Sequence, residues 1–334
     1  MKTAPITASP ENFYDAGVPG REGAFHMHHN PLTTIVIPTY NDIHLVCDAI
    51  DCSLNQTYKN LEIIVVDDGS SDGTGRLLKE KYGEKIIYIH QENRGLSSAR
   101  NAGIRRSSGK YIQFLDSDDL IDLNKISIQV GQLEKLHGPA LAYSDYIRTP
   151  LGDMTIRFSG RMSPVLQVKK PFDDLMMKWE TELSIPPHCF LFDAALFKDH
   201  GILFDESLPT HEDWECWMSV FSVNPTVVFT DAPLANYRRR TDSMCTNIRK
   251  MRDGYLMAID RQIHKNRLNR NIVIRLKIRR KKIKYLYRSA GPLMRVKEKC
   301  RQFAKKIYSL LIPHRIRHER RYGKNYAETT AGKS

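Results

Sequence analysis

Four short apolar runs between residues 34 and 115 each end in a polar turn, and stretches of helical period separate them. Thr34-Ile35-Val36-Ile37 is stopped by Pro38, and the run 61–66 leads into Asp67-Asp68-Gly69-Ser70-Ser71-Asp72-Gly73, which is dense turn chemistry. A third run covers 86–90, and the fourth, 111–115, leads into Asp116-Ser117-Asp118-Asp119. Between them, Val46, Ile50 and Leu54 recur at i, i+4 and i+8 behind Asn41 or Asp42, either of which can cap a helix. A second helix is expected to end near Tyr82, and a third over 97–106, closed by Gly109. Buried strands alternating with amphipathic helices at this rhythm predict βαβ units and a mostly parallel central sheet.

The rest of the chain has a different character. Residues 1–30 are polar and hold His26, His28 and His29 without a Cys or carboxylate cluster, so a flexible arm is expected rather than a metal site. Strand-like and helical stretches mix from about 141 to 236, including Val227-Val228-Phe229 and helices over 193–199 and 212–221. Beyond Asp253 the pattern is helical and basic. Of the 51 Lys and Arg and 38 acids in the chain, 24 and three respectively fall after residue 260, which leaves an acidic body and a basic tail. The expected organisation is an arm at 1–30, an α/β domain at 31–250 and a basic helical extension at 251–334. Six scattered cysteines with no C-x-x-C pair suit reduced thiols. No apolar run approaches the ~20 residues needed to cross a bilayer, and no signal-peptide core opens the chain. A cytoplasmic location is therefore expected.

In an open α/β sheet, ligands bind beyond the carboxyl ends of the strands. Three of the runs end there in Thr39-Tyr40-Asn41, Asp67-Asp68 and Asp116-Ser117-Asp118-Asp119. Carboxylates gathered at one edge repel unless a positive group sits among them. A Mg²⁺ or Mn²⁺ ion bound to a diphosphate is the simplest such partner, and Asp116 and Asp118 suit its preference for oxygen. Turn-making alone explains either cluster by itself; two clusters on successive strands point to a site.

These segments resemble the family 2 glycosyltransferases. The resemblance rests on Pro38-Thr39-Tyr40-Asn41, the run 65–74, Asn93-Arg94-Gly95 followed by Ala99-Arg100-Asn101-Ala102-Gly103, and Phe114-Leu115-Asp116-Ser117-Asp118-Asp119. It continues in Phe204-Asp205-Glu206, His211-Glu212-Asp213-Trp214 and Tyr237-Arg238-Arg239 with Ser243. It implies a GT-A-type nucleotide-binding domain that transfers sugars from nucleotide diphosphates with inversion. Pro38, Thr39, Tyr40 and Asp68 are then expected to hold the donor's base and ribose, with Arg100, Asp116 and Ser117 beside the nucleotide. Asp118 and Asp116 would bind the metal, and Asp213 would be the general base. The donor expected first is a UDP-sugar, and the acceptor a carbohydrate or a lipid-linked sugar of surface polysaccharide or glycolipid assembly.

One position departs from the family. Its closing motif often ends in a histidine that completes the metal or diphosphate site, where this chain has Arg240. A guanidinium pairs with diphosphate oxygens but does not ligate a cation. Arg240 either takes over part of the metal's electrostatic work or lies outside the site. Glu212, Trp214 and His188 are further candidates for diphosphate or acceptor contacts; core packing competes for Trp214 and Trp217, and a structural role for His188. The competing functions are a sugar nucleotidyltransferase, which lacks a Gly-rich, Lys-containing loop, and a non-catalytic sugar-nucleotide or membrane-binding protein of the same fold. In the tail, Phe303, Ile307, Leu310 and Leu311 lie among Arg301, Lys305, Lys306, Arg315 and Arg317. That pattern predicts peripheral attachment to an anionic membrane on its cytoplasmic face, with no nucleic-acid partner.

Overall fold

The computed structural model describes residues 30–151, 162, 164–167, 169–240 and 247–288. His26, His28, His29, Ser243 and the Phe303-Ile307-Leu310-Leu311 stripe lie outside the described residues.

The four apolar runs become β1 (Thr33–Thr39), β2 (Leu61–Asp67), β3 (Ile87–His90) and β4 (Tyr111–Phe114), linked by α1 (Val46–Leu54), α2 (Thr74–Tyr82) and α3 (Leu96–Arg106). They pair in parallel in the order β3-β2-β1-β4. Alternation decides which helix each residue meets. Ile35, Ile37, Ile63 and Val65 face Ile50, Leu78 and Val130, whereas Val36, Ile64 and Val66 face Ile104 or Ala99 of α3. Gly103 lets α3 lie close on β1, since a Cβ there would fall 2.2 Å from a methyl of Val36.

After β5 (Leu120–Ile121) and α4 (Lys125–Leu133), the sheet grows in the other direction. β6 (Ala140–Pro150), β7 (Phe190–Asp193) and β8 (Thr226–Arg239) complete eight strands in the order β3-β2-β1-β4-β7-β6-β8-β5. β7 runs antiparallel to β4 and β6, while β6 and β8 are parallel, with an irregularity around Asp145. The helix expected over 193–199 is only α6 (Ala195–Lys198), because 190–193 is drawn into the sheet between β4 and β6. The strand expected at 227–229 extends to Arg239 along β6, carrying the closing motif back to the sheet edge.

α5 (Pro171–Lys178), α7 (Glu212–Ser222), α8 (Ile248–Lys265) and α9 (Arg270–Arg288) form the second layer. Asn247 caps α8 by accepting from the Lys250 amide at 3.0 Å. The boundary expected at residue 250 runs through packed structure. Tyr255, Ala258, Ile259, Leu276 and Ile283 are buried in the same apolar cluster as Trp214 and Trp217. Arg279 is fully buried and donates to the carbonyls of Met177 and Trp179. Residues 251–288 therefore belong to the body rather than to a separable tail. No described helix is long and apolar enough to cross a membrane.

Candidate active site at the carboxyl ends of the strands

The first two loops are built from their own polar side chains. Asn41, at φ 47°, accepts from the Ser71 amide at 2.8 Å, and its own amide donates to Ser70 Oγ at 2.9 Å. Asp67 accepts from the Ser70 amide (2.8 Å) and the Tyr88 hydroxyl (2.6 Å). Burial pushes its pKa up, but these bonds outweigh burial and hold it below the usual carboxylate range. Asp68, also buried, accepts from Gln91 Nε2 (2.7 Å) and from the amides of Arg94 (2.9 Å) and Gly95 (2.7 Å). Its carboxylate thus fixes the 91–95 loop. Three of the roughly four acceptor positions of that carboxylate are therefore used inside the protein. Beside it, Tyr40 is half exposed, and Thr39 is buried with a hydroxyl that has no hydrogen-bond partner among the described residues. Pro38 sits one residue earlier on β1.

Beyond β4 the carboxylates are arranged differently. Arg100 of α3 is fully buried, donating to Asp116 Oδ1 at 2.6 Å and to Glu212 Oε1 at 2.9 Å. Its guanidinium lies 5.3 Å over the Phe204 ring. One cation thereby joins the end of β4 to the start of α7. Ser117 donates to Asp42 Oδ2 at 2.7 Å, and Arg240 reaches Asp42 Oδ1 at 3.2 Å. Asp119 accepts from the Arg238 amide at 2.8 Å and has His188 Nδ1 at 3.0 Å. Arg238 also bonds Asp48 and the Asp118 carbonyl. Asp118 is only partly exposed, and its carboxyl takes no hydrogen bond among the described residues. Burial, then the charges of Asp119 and Asp116, push its pKa up to about 7 against the opposing charge of Arg240.

α7 opens with His211 in the left-handed region, at φ 63°. Its ring stacks 4.3 Å from Tyr255 and pairs through Nε2 with Glu180 Oε1 at 2.8 Å. Burial lowers the pKa of His211, but Glu180 outweighs that and raises it; Glu180 itself is lowered, its bonds to His211 and Tyr287 overcoming burial. The acids Glu212, Asp213 and Glu215 occupy the first turn, where the helix dipole favours negative charge. Asp213 is pushed up to about 6, by burial first and then by Glu212, with His211 and Arg100 opposing. It accepts the Trp214 amide at 2.6 Å.

Two expectations fail here. Trp214 is fully buried, its indole donating to the Leu175 carbonyl at 3.0 Å, so it offers no face to a sugar. Trp217 belongs to the aromatic core with Phe114, Phe192 and Phe204. His188 is fully buried beside Asp119 and stacked on Tyr237, which makes it a support rather than an acceptor contact. Sequence reasoning does not find Asp42, Asp119, Arg238 or Glu180 as site residues: their partners are far away in sequence, and only the Asp-rich run and the closing motif hint at any of them. A further buried cation, Lys125, pairs with none of these carboxylates among the described residues. The buried amine of Lys125 lies between Gln113 Oε1 and Gln129 Oε1, both at 2.5 Å, and burial pulls its pKa down to about 7.

The donor set fits a hard divalent cation bridging to phosphate. Among the described residues, no group of three or more His, Cys, Asp or Glu forms a protein-only cage. Asp116, with one oxygen on Arg100, and the unbonded Asp118 carboxyl are the two oxygen sources that a Mg²⁺ or Mn²⁺ sharing a diphosphate needs.

The comparisons with known proteins point the same way. An uncharacterized glycosyltransferase of Rickettsia typhi is 36% identical over 228 residues, 66% of this chain and 67% of that protein. The chain spans 28%, 60% and 67% of the length of the first three curated relatives it matches. Among solved structures, TarS 1-349 of S. aureus in complex with UDP-GlcNAc aligns with a TM-score of 0.54 at 18% identity, over 68% of this chain and 65% of that one. The mannosyltransferase PcManGT of Pyrobaculum calidifontis, in complex with GDP-Man and Mn²⁺, aligns with a TM-score of 0.52 at 14% identity, over 83% and 81%. Both show that the fold is of the GT-A type. The family model for glycosyl transferase family 2 matches residues 34–201, from β1 through β7. With the aspartates of β2 and β4 both inside that match, the chain belongs to glycosyltransferase family 2.

Proposed function

We propose that this chain is an inverting glycosyltransferase that moves a sugar from a nucleotide-diphosphate donor, a UDP-sugar first, to an acceptor hydroxyl of a carbohydrate or lipid-linked sugar. The observation that carries the reading is the Arg100 bridge. It ties Asp116, on the donor side, to Glu212, the neighbour of Asp213. Inversion needs one base on the acceptor's side and no covalent enzyme intermediate. Asp213 is that base: with a pKa near 6 it is ionised at neutral pH yet basic enough to take the acceptor's proton. As the acceptor oxygen bonds to the anomeric carbon, the bond to the diphosphate oxygen breaks on the opposite face and the proton passes to Asp213 Oδ. A divalent cation, when bound, offsets charge on the departing diphosphate. Asp116 and Asp118 would hold it, and Arg240, braced on Asp42, adds positive charge beside Asp118. Thr39, whose hydroxyl has no partner among the described residues, and Tyr40 line the donor's end of β1.

UDP and GDP release from a panel of donors, with and without Mn²⁺, tests the reading. One donor should be turned over only with metal, and Asp213→Asn should lower that rate by roughly 10²–10⁴ with donor binding retained. Full turnover in excess chelator would overturn the metal's part, and an unchanged rate in Asp213→Asn the base assignment.

A further inference from the structure

α9 has two chemically distinct faces. Successive residues of an α-helix lie about 100° apart. Ile272, Leu276, Arg279 and Ile283 fall on one side and pack into the body. Arg275 pairs with Asp173 at 2.5 Å and Arg280 with Asp260 at 2.7 Å, closing the edges of that buried side. On the opposite side Ile274 and Ile278, adjacent at i and i+4, are 57% and 54% exposed. Lys277, Lys281, Lys282 and Lys284 surround them, all exposed and none in an ion pair among the described residues. The helix carries nine Lys and Arg and no acid. At the turn that precedes it, Leu268 is 93% exposed.

We infer that this outward face of α9 docks on an anionic lipid surface, with Ile274 and Ile278 entering the headgroup–acyl boundary and the four lysines meeting lipid phosphates. An apolar centre ringed by cations, on a helix held flat against a folded body, is what interfacial binding requires. Charge complementarity favours lipid over a second copy of this chain, because two such faces would repel. Exposed isoleucines at the centre favour lipid over a soluble polyanion, which would leave them in water. The inference rests on α9 alone and not on the transfer chemistry. It also separates cations that bind from cations that fold: Arg279 and Arg280 belong to the body, and neutralising them would disturb packing.

The test uses the full chain and vesicles of phosphatidylcholine with or without phosphatidylglycerol. The parent should co-sediment only with the anionic vesicles. Changing Lys277, Lys281, Lys282 and Lys284 to Gln should weaken binding about a hundredfold or more, with the melting temperature unchanged. A tryptophan reporter locates the contact. The three native tryptophans, Trp179, Trp214 and Trp217, are buried, so an Ile278→Trp variant places its new fluorophore on the surface. Brominated acyl chains in anionic vesicles should quench it. Sedimentation without quenching would put the contact elsewhere and overturn the inference. So would failure to sediment, or binding to heparin alone, which would assign the lysines to a soluble polyanion.

Discussion

Two clusters of aspartates stand at the ends of β2 and β4, on either side of β1, and they do opposite things. Asp67 and Asp68, after β2, accept two and three hydrogen bonds from the protein, and Asp67 is held in its ionised form. Asp116 and Asp118 after β4, with Asp213 across the Arg100 bridge, are crowded by like charge, and Asp118 and Asp213 are pushed toward protonation. Ionisation in the first cluster is already compensated, so it shapes loops. Ionisation of Asp118 and Asp213 in the second is only partly compensated, which suits the cation and the proton proposed for them. A carboxylate that costs the folded protein stability is a better sign of chemistry than one that supplies it.

The sharpest way to test that contrast is to make the same change on each side. Asp118→Asn should reduce turnover at least a hundredfold, several kcal/mol of charge stabilisation going with the metal. It should also raise the melting temperature of the metal-free protein at neutral pH, because it removes one of several repelling charges. Asp213→Asn should behave alike. The sign follows from linkage: a folded-state pKa above the unfolded value means that the folded protein binds more protons between the two, so stability falls as pH rises through that interval. For Asp213 the interval runs from the ordinary aspartate value of 3.8 to about 6. A melting temperature lowered by either substitution would place these groups with Asp68.

Arg100→Leu comes next in size. It strands Asp116 and Glu212 and should destabilise by about 3–5 kcal/mol in denaturant unfolding. Arg100→Lys should rescue little, since a single ammonium lacks the fork that serves both carboxylates. Asp68→Ala takes the acceptor from the partly buried hydrogen bonds of the Arg94 and Gly95 amides and should cost about 1 kcal/mol. In saturating donor its kcat should stay within severalfold of the parent's. A loss of kcat as large as that of Asp213→Asn would erase the distinction between the clusters.

The smallest effect expected is on the pH profile. Activity should fall below about pH 6 as Asp213 takes up its proton. Glu180→Gln removes the partner that keeps His211 charged, and with it a cation that helps keep Asp213 ionised. The acidic limb of kcat should then move up by less than about one pH unit, and Tyr287→Phe should move it less. The Glu180–His211 pair contributes fully only between the ordinary Glu and His pKa values, and fades outside them as either partner loses its charge. An acidic limb that does not move would leave His211 as a helix-start residue alone.

Much of the first half of the domain is legible in the sequence. The periods of β1 to β4 and their helices are local, and each aspartate run reads as a strand end. The second half is harder to read. The run 190–193 is a strand because β4 and β6 offer it two partners, which no local pattern reveals. α8 and α9 look only helical and basic in sequence, yet Gln262 donates to the Glu215 carbonyl at 2.9 Å and Arg279 lies in the core.

By itself, the sequence determined the βαβ rhythm, the edge of the sheet where carboxylates gather and the family to which their spacing belongs. Periodicity and turn chemistry act over a few residues, and a linear reading captures them. Tertiary structure decided which carboxylates are spent on loops and which stay free. It also decided that Trp214 and His188 are walls rather than contacts, and that residues 251–288 complete the body. Those outcomes depend on burial and on charges brought within a few ångströms from distant parts of the chain. Desolvation and Coulomb energy follow distance in space, which the order of residues does not fix.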